Sequence, residues 1–265
     1  METIAPIKAC ISELYVTCGR QPIAFLHTHL HLNLNLNLIK RMPESSKVRS
    51  LFDDLSPNYD LYNRLFSLGL DRLWRRGLVQ AVRRAHSREI LDVACGSGDV
   101  ALALQRAIPD ANVTGLDFSA PLLAKAKARG VRHTVEGDAL HLPWESAHFD
   151  AVTLAFGLRN FSDRKQGLHE IARVLRPGGT FALLEFSPPP LPWRIFWDFY
   201  LFYFMPAVAQ LLTRQGDSFR YLARSIAEFP PPSGLHRELS ASGFKLLYAR
   251  TFSARLVRLT VCRQG

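Results

Sequence analysis

EILDVACGSGD, residues 89–99, is an apolar run that stops at a turn of small residues. A continuous aliphatic segment of this length suits a strand buried on both faces. Gly96-Ser97-Gly98 turns the chain, and Val100, Ala103, Leu104 and Ala107 then recur at helical spacing. The unit repeats downstream. NVTGLD (112–117) reads as a second strand, with Ser119 as N-cap of the next helix. RHTVEGD (132–138), FDAVTLAF (149–156) and TFALLEF (180–186) read as strands three to five. Leu168, Ile171, Ala172 and Leu175 mark an intervening helix that Pro177-Gly178-Gly179 is expected to end. Strands alternating with helices at this spacing predict a doubly wound, mostly parallel α/β sheet. A helix is expected near 233–242. FKLLYARTF (244–252) and ARLVRLTVC (254–262) follow almost without a gap, so they should form an antiparallel hairpin closing one sheet edge.

Upstream, Trp74, Leu78, Ala81, Val82 and Ala85 fall on one face of a helix that six arginines decorate: Arg72, Arg75, Arg76, Arg83, Arg84 and Arg88. That polar side is either a solvated face or a contact for anionic headgroups or nucleic acid. The first 41 residues differ from the rest. HTHLHLNLNLNL (27–38) is a low-complexity alternation with no partner strand nearby. Residues 1–41 therefore read as a poorly ordered leader, or as translation from an upstream start codon, and 42–265 as the folded domain. His27, His29 and His31 lack the cysteine or carboxylate companions a metal site would need.

In 265 residues, 33 are Lys or Arg and 23 Asp or Glu, a formal net charge of +10. An excess of that size points to anionic partners without choosing among them. With 48% hydrophobic and 21% charged residues, the composition is globular and excludes a mainly disordered or fibrous chain. Cys10, Cys18, Cys95 and Cys262 are too scattered for a disulfide framework, which suits a reducing, cytoplasmic setting. The best membrane-span candidate, 195–212, is interrupted by Asp198, Pro206 and Gln210 and reads as buried or interfacial. Eight of the twelve residues in 193–204 are aromatic. This insertion (191–212) is either an aromatic core helix or a greasy wall resting on a bilayer, where aromatic rings favour the interface.

Ligands of open α/β sheets bind beyond the carboxyl ends of the strands. Gly96-Ser97-Gly98-Asp99-Val100-Ala101 fits the dinucleotide pattern G-x-G-x-x-[GA], and Asp117 lies 19 residues after Gly98. The charges speak against a dinucleotide, whose pyrophosphate must lie at the following helix N-terminus. Asp92 and Asp99 flank that spot, repel phosphate, and suit a ligand with a cationic group. S-adenosylmethionine is such a ligand. Gly96 and Gly98 would allow close backbone approach, Asp117 would accept from the ribose hydroxyls, and Asp138-Ala139 would address the adenine. The candidate cofactor-binding set is Asp92, Gly96, Ser97, Gly98, Asp117, Asp138, Ala139 and Ala155.

LDVACGSGD, GLDFS, GDALHLP and RVLRPGG together resemble the class I S-adenosylmethionine-dependent methyltransferases. Tyr59-Asp60-Leu61-Tyr62-Asn63, continuing through Ser67 to Trp74, and RVLRPGGTFALLEFS (173–187) resemble the two signatures of the UbiE/COQ5 quinone methyltransferases. FGLRN (156–160) and YLARSI (221–226) are similar to further segments of that family. The resemblance covers residues 48–265. Tyr62 stands where Met is usual, Asp71 where the signature has His, and Arg176 where Lys is common.

The resemblance implies a Rossmann-like methyltransferase sheet with an N-terminal helical lid. It also implies C-methylation of a polyprenyl quinol ring, in menaquinone or ubiquinone biosynthesis, with no metal. An electron-rich quinol carbon can attack a sulfonium methyl in line, given orientation and loss of a phenolic proton. Arg159, a permanent cation and poor base, is expected to supply electrostatics, and Asn160 to orient the ring oxygen. Asp71 would accept or orient a proton, and Tyr59, with Asp60 and Asn63, would belong to the lid. Peripheral contact at the inner face of the membrane and a homo-oligomer are further expectations. An RNA methyltransferase would suit the charge, but no RNA-binding module is recognisable and the insertion is greasy rather than basic. A non-catalytic scaffold would have no need of the loop acids.

Overall fold

Five parallel strands put their carboxyl ends on one side of the molecule, and that geometry creates the site. The computed structural model describes residues 45–56, 63–64, 67–189, 193–207, 210 and 216–265. The leader, its histidines, Tyr59, Asp60 and Tyr62 lie outside the described residues. Pro43–Gly265 form one compact unit.

Helix α1 (Ser45–Leu55) precedes α2 (Asp71–Arg84). The α/β core follows: β1 (Glu89–Val93), α3 (Asp99–Ala107), β2 (Asn112–Asp117), α4 (Ala120–Ala128), β3 (His133–Glu136), β4 (Phe149–Ala155), α5 (Arg164–Val174) and β5 (Leu175–Phe186). Next come α6 (Trp193–Phe199), a π-helical turn (Tyr200–Phe204), α7 (Gly216–Ala227), α8 (Pro232–Ala241), β6 (Phe244–Phe252) and β7 (Val257–Gln264). The seven strands lie in the order β3-β2-β1-β4-β5-β7-β6. All pairs from β3 to β5 are parallel, whereas β7 runs antiparallel to both β5 and β6. The hairpin thus closes one edge, as its sequence predicts.

Strand β1 has β2 on one side and β4 on the other, so strand order reverses there. That reversal opens the crevice in which doubly wound sheets hold ligands. Two apolar layers clamp the sheet. One contains Trp74, Leu78 and Val82 of α2, Leu104 of α3, and Val257 and Leu259 of β7. The other contains Leu168 and Ile171 of α5, Leu235 and Leu239 of α8, and Phe181 of β5. Ser119 caps α4 by accepting from the Leu122 amide, and Asp163 caps α5 by accepting from that of Gln166.

Two local expectations are corrected. Helix α5 stops at Val174 rather than at the Pro-Gly-Gly turn. Leu175 already pairs with Phe149, the register shifts, and Thr180 resumes against Ala151. A buried strand partner ends the helix before the helix-breaking residues are reached. Ala85, expected on the apolar face of α2, is exposed because the helix ends at Arg84 and Ala85 is its C-cap.

Candidate active site

Asp92, at the penultimate position of β1, is fully buried. Its Oδ1 accepts from Thr153 Oγ1 on β4 at 2.7 Å, while Oδ2 has no hydrogen-bond partner among the described residues. Burial drives its pKa up to about 7, with the Thr153 bond pulling the other way. A buried carboxylate oxygen without a donor is costly unless a ligand supplies one.

The loop after β1 turns sharply, with Ala94, Gly96 and Gly98 all at positive φ. The Gly96 amide donates to Asp117 Oδ2 at 2.7 Å, and the Ser119 amide donates to Oδ1 at 2.9 Å. Burial raises the Asp117 pKa despite these bonds. Each of its oxygens keeps a second lone pair for a ligand hydroxyl. Gly98 differs from expectation. At φ +85°, a Cβ there would come within 2.5 Å of Val131 Cγ2 and 3.0 Å of Ala126 Cβ. Gly98 is therefore needed for a left-handed turn and for close packing on α4, and it lines neither of the cavities described below.

Asp99 also corrects the charge argument. Its carboxylate meets Arg75 at 3.0 Å and Arg129 at 2.6 Å. Burial pushes its pKa up, but the two guanidinium groups outweigh that and hold it below the ordinary carboxylate range. Asp92 alone keeps an acceptor atom open for a cation. Arg129 also donates to the Ser97 carbonyl at 2.8 Å and hydroxyl at 3.0 Å, which fixes the loop.

Two cavities open over this crevice. One, of about 540 Å³, is lined by Gly96, Asp117, Phe118, Asp138 and Ala139 at the ends of β1, β2 and β3. The other, of about 340 Å³, is mainly apolar, with Trp74, Phe186, Trp197, Tyr200, Leu201 and Phe219 in its wall. Asp71, Arg75, Asp92, Ser97, Asp99, Arg159 and Tyr221 also reach it. Phe52, Ala94, Ala155, Phe156 and Asn160 line both, so the cavities adjoin at a waist. Phe156 and Ala94 hold φ of +58° and +53°, conformations that non-glycine residues rarely adopt and that cluster at functional sites. Helix α1 covers both cavities: Phe52 meets Phe118 edge-on at 6.1 Å, and Ser119 Oγ donates to Asp53.

Arg159 follows β4, as expected, but its charge is not free. It pairs with Glu185 Oε1 at 2.8 Å, both side chains being buried, and donates also to the Phe156 carbonyl. The guanidinium lies over the Phe186 ring at 5.3 Å, and Nε has no partner among the described residues. Asn160 Oδ1 accepts from Tyr221 OH at 3.2 Å, which turns its amide NH₂ away from α7. Asp71 accepts from Ser67 Oγ at 2.9 Å and from Arg75. Asp138 is exposed and accepts from the Leu140 amide at 2.9 Å. Arg75, Glu185 and Tyr221 were not foreseen. Only Arg75 had a sequence signal, its i,i+4 spacing from Asp71.

A doubly wound sheet with a reversed edge hairpin, and a carboxylate at the end of each of β1 and β2 facing adjoining cavities, define the class: an S-adenosylmethionine-dependent methyltransferase fold. Residues 40–260 match the ubiE/COQ5 methyltransferase family, and the chain belongs to that family. It is 42% identical over 208 residues to the demethylmenaquinone methyltransferase of Thermus thermophilus, covering 75% of this chain and 93% of that protein. It is 39% identical over 213 residues to the ubiquinone/menaquinone biosynthesis C-methyltransferase UbiE of Geobacter sulfurreducens, covering 76% of this chain and 82% of that one. Among solved structures, the cyclase SpnF superposes with a TM-score of 0.64 at 18% identity, covering 86% of this chain and 98% of that chain. A SAM-dependent methyltransferase from Thermotoga maritima gives 0.55 at 16% identity, covering 81% and 100%. These two show the fold.

Proposed function

We propose that this enzyme transfers a methyl group from S-adenosylmethionine to a ring carbon of a polyprenyl quinol, in menaquinone or ubiquinone biosynthesis. The observation that carries the reading is the waist joining a carboxylate-bearing cavity to an apolar one, beside the unpartnered Asp92 oxygen. The residues present fit the methyl donor. Asp92 would take its ammonium, Asp117 its ribose hydroxyls, and Asp138 with Ala139 its adenine. The Gly96–Ser97 backbone and Ala155 would flank it, with Gly98 shaping the turn. Arg75, which faces the same end as Asp92, would meet its carboxylate. When bound, S-adenosylmethionine supplies an electrophilic methyl on a sulfonium.

The chain's own residues then position the acceptor. Asn160 offers its amide NH₂ at the waist to a ring oxygen. Asp71 accepts the phenolic proton, whose loss makes the ring carbon more nucleophilic. As the methyl passes from sulfur to carbon the thioether leaves, and the ring C–H proton then departs to restore the aromatic quinol. The buried Arg159–Glu185 pair presents a fixed dipole there rather than a bare cation. Holding carbon and methyl roughly 3–3.5 Å apart in a closed pocket accounts for several kcal/mol of barrier lowering. Assay of the purified enzyme with demethylmenaquinol and with a demethylated benzoquinol tests the reading, the product being identified by mass spectrometry. A gain of one methyl on the ring is expected; absence of turnover with both quinols, despite donor binding, would mark a scaffold.

The aromatic insertion fits a lipid substrate. Trp197, Tyr200 and Leu201 face the apolar cavity, whereas Phe196, Phe199 and Tyr203 are each more than 60% exposed. A two-sided aromatic helix suits a prenyl tail on one side and the bilayer on the other. Among the described residues no helix is long and apolar enough to cross a membrane. The protein would work in the cytoplasm, peripherally at the inner membrane face. Replacing exposed Phe202 and Phe204 by serine is expected to weaken liposome association and raise KM for long-tailed quinols. Turnover of a tail-less quinol and the melting curve should change little; a large loss of stability instead would make these rings core.

Residues 1–41 lack a helical period and lie outside the family resemblance. A chain starting at Met42 should melt and turn over like the full one. Aggregation, or loss of most activity, would mean that the leader belongs to the enzyme.

A further inference from the structure

The positive charge of this protein is concentrated in two segments. Residues 72–88 and 243–265 contain eleven basic residues and no Asp or Glu, while the remaining 225 residues hold 22 basic and 23 acidic ones. The net charge of +10 therefore belongs to helix α2 with its short C-terminal extension and to the β6–β7 hairpin.

These segments pack together. Trp74 Nε1 of α2 donates to Ser253 Oγ in the hairpin turn at 3.0 Å. A Cβ at Gly77 would come within 2.8 Å of the Phe252 ring, so helix and hairpin nearly touch. The Arg250 guanidinium lies over that same ring at 5.1 Å, which places it on the α2 side of the sheet. Arg72, Arg76, Arg83, Arg84, Arg250 and Arg255 are all exposed, and none forms an ion pair among the described residues. Arg75 alone turns inward. A merely solvated helix face usually alternates charge signs; this one has a single sign.

Apolar side chains stand among the arginines. Leu68 is 83% exposed and Leu73 51%, and Leu68 also lines the apolar cavity. Tyr248, which pairs with Val261 of the α2 layer, is exposed on the hairpin edge. A second copy of the chain would bring like charges together. Nucleic acid would satisfy the arginines but leave the leucines in water. A bilayer with anionic headgroups covers both.

We propose that the α2–hairpin face is a docking surface for anionic lipid bilayers, setting the apolar cavity mouth against the membrane. This rests on the reading of the site as one for a membrane-dissolved quinol. The test compares the full chain with an Arg76→Gln/Arg83→Gln/Arg84→Gln variant in co-sedimentation. The vesicles are phosphatidylcholine alone or phosphatidylcholine with phosphatidylglycerol, at low and high salt. The full chain should prefer the anionic vesicles, and salt should erase the preference. About fivefold in affinity per arginine predicts a loss on the order of 100-fold in the triple variant, on anionic vesicles only. Its melting temperature and its turnover of a tail-less quinol should match the full chain. Equal binding of both proteins to anionic vesicles would overturn the proposal. So would a variant that keeps vesicle binding but loses salt-sensitive retention on RNA, which would point to nucleic acid. Failure of the full chain to methylate a tail-less quinol would instead sink the functional reading, whatever the vesicles show.

Discussion

Glu185→Ala is expected to be among the most damaging single changes in this chain. Glu185 is 2% exposed and accepts from Arg159 Nη1 at 2.8 Å and from the Phe186 amide at 2.9 Å. Removing it leaves a guanidinium buried against Phe186, with Nε already lacking a partner. Breaking one side of a buried pair costs about 3–5 kcal/mol, because the surviving charge has neither water nor counter-ion. For a domain of this size that corresponds to roughly 6–20 °C in Tm. Turnover should fall as well, since Arg159 and Asn160 share one short turn, Leu158–Asn160, at the waist. The double variant Glu185→Leu/Arg159→Met separates the two effects. It should recover much of the stability, because no charge is left stranded, while activity stays low. Thermal melts and kcat of the three proteins check this. A single variant melting within a degree or two of the parent would show that water reaches the pair.

The strand–helix alternation was legible because parallel strands covered on both faces become apolar runs, as EILDVA and FDAVTLAF do. The hairpin was legible because two such runs had no room for a crossover between them. The site was legible only as far as backbone position. Asp92, Asp117 and Asp138 could be assigned to strand ends because strand ends follow from periodicity. What each side chain meets depends on contacts distant in sequence. Arg159 and Glu185 are 26 residues apart, at the ends of neighbouring strands, and nothing local couples them. Asp99 looked free for a cation until Arg75 and Arg129 closed on it from α2 and the end of α4. Gly98 looked like a ligand-facing glycine but serves packing, because the motif fixes a turn and not the direction the missing Cβ would point. The aromatic insertion stayed ambiguous for a similar reason: with eight rings in twelve residues, the single Arg194–Asp198 pair at i,i+4 is too short a polar stripe to mark the outer face.

Asp92 gives the second large effect, and its sign can be worked out. Burial places its pKa at about 7 in the ligand-free enzyme, with Thr153, Arg75, Cys95 and Asp117 facing it. Below pH 7 the carboxyl is therefore mostly neutral, whereas the ammonium of S-adenosylmethionine calls for the carboxylate. Binding must then expel a proton, so affinity should fall about tenfold per pH unit below 7 and level off above it. Asp92→Asn keeps the acceptor for Thr153 but loses the charge. Its affinity should be roughly 10–150-fold weaker at pH 8, the loss of one charge-assisted bond, and nearly flat with pH. Stability of the ligand-free protein should move the other way. The folded chain holds a proton on Asp92 that the unfolded chain, with an ordinary pKa of 3.8, releases. Folded stability is therefore greatest at the acid end of this window and is lost as pH rises from about 4 to 7. Asp117, also raised by burial, contributes with the same sign, so the difference between parent and variant isolates Asp92. Asp92→Asn should melt above the parent at pH 8 and converge with it toward pH 4. Calorimetric titrations and melts across pH 5–8 decide the matter: a parent whose affinity for the methyl donor does not change with pH would mean that Asp92 is ionised before the ligand arrives.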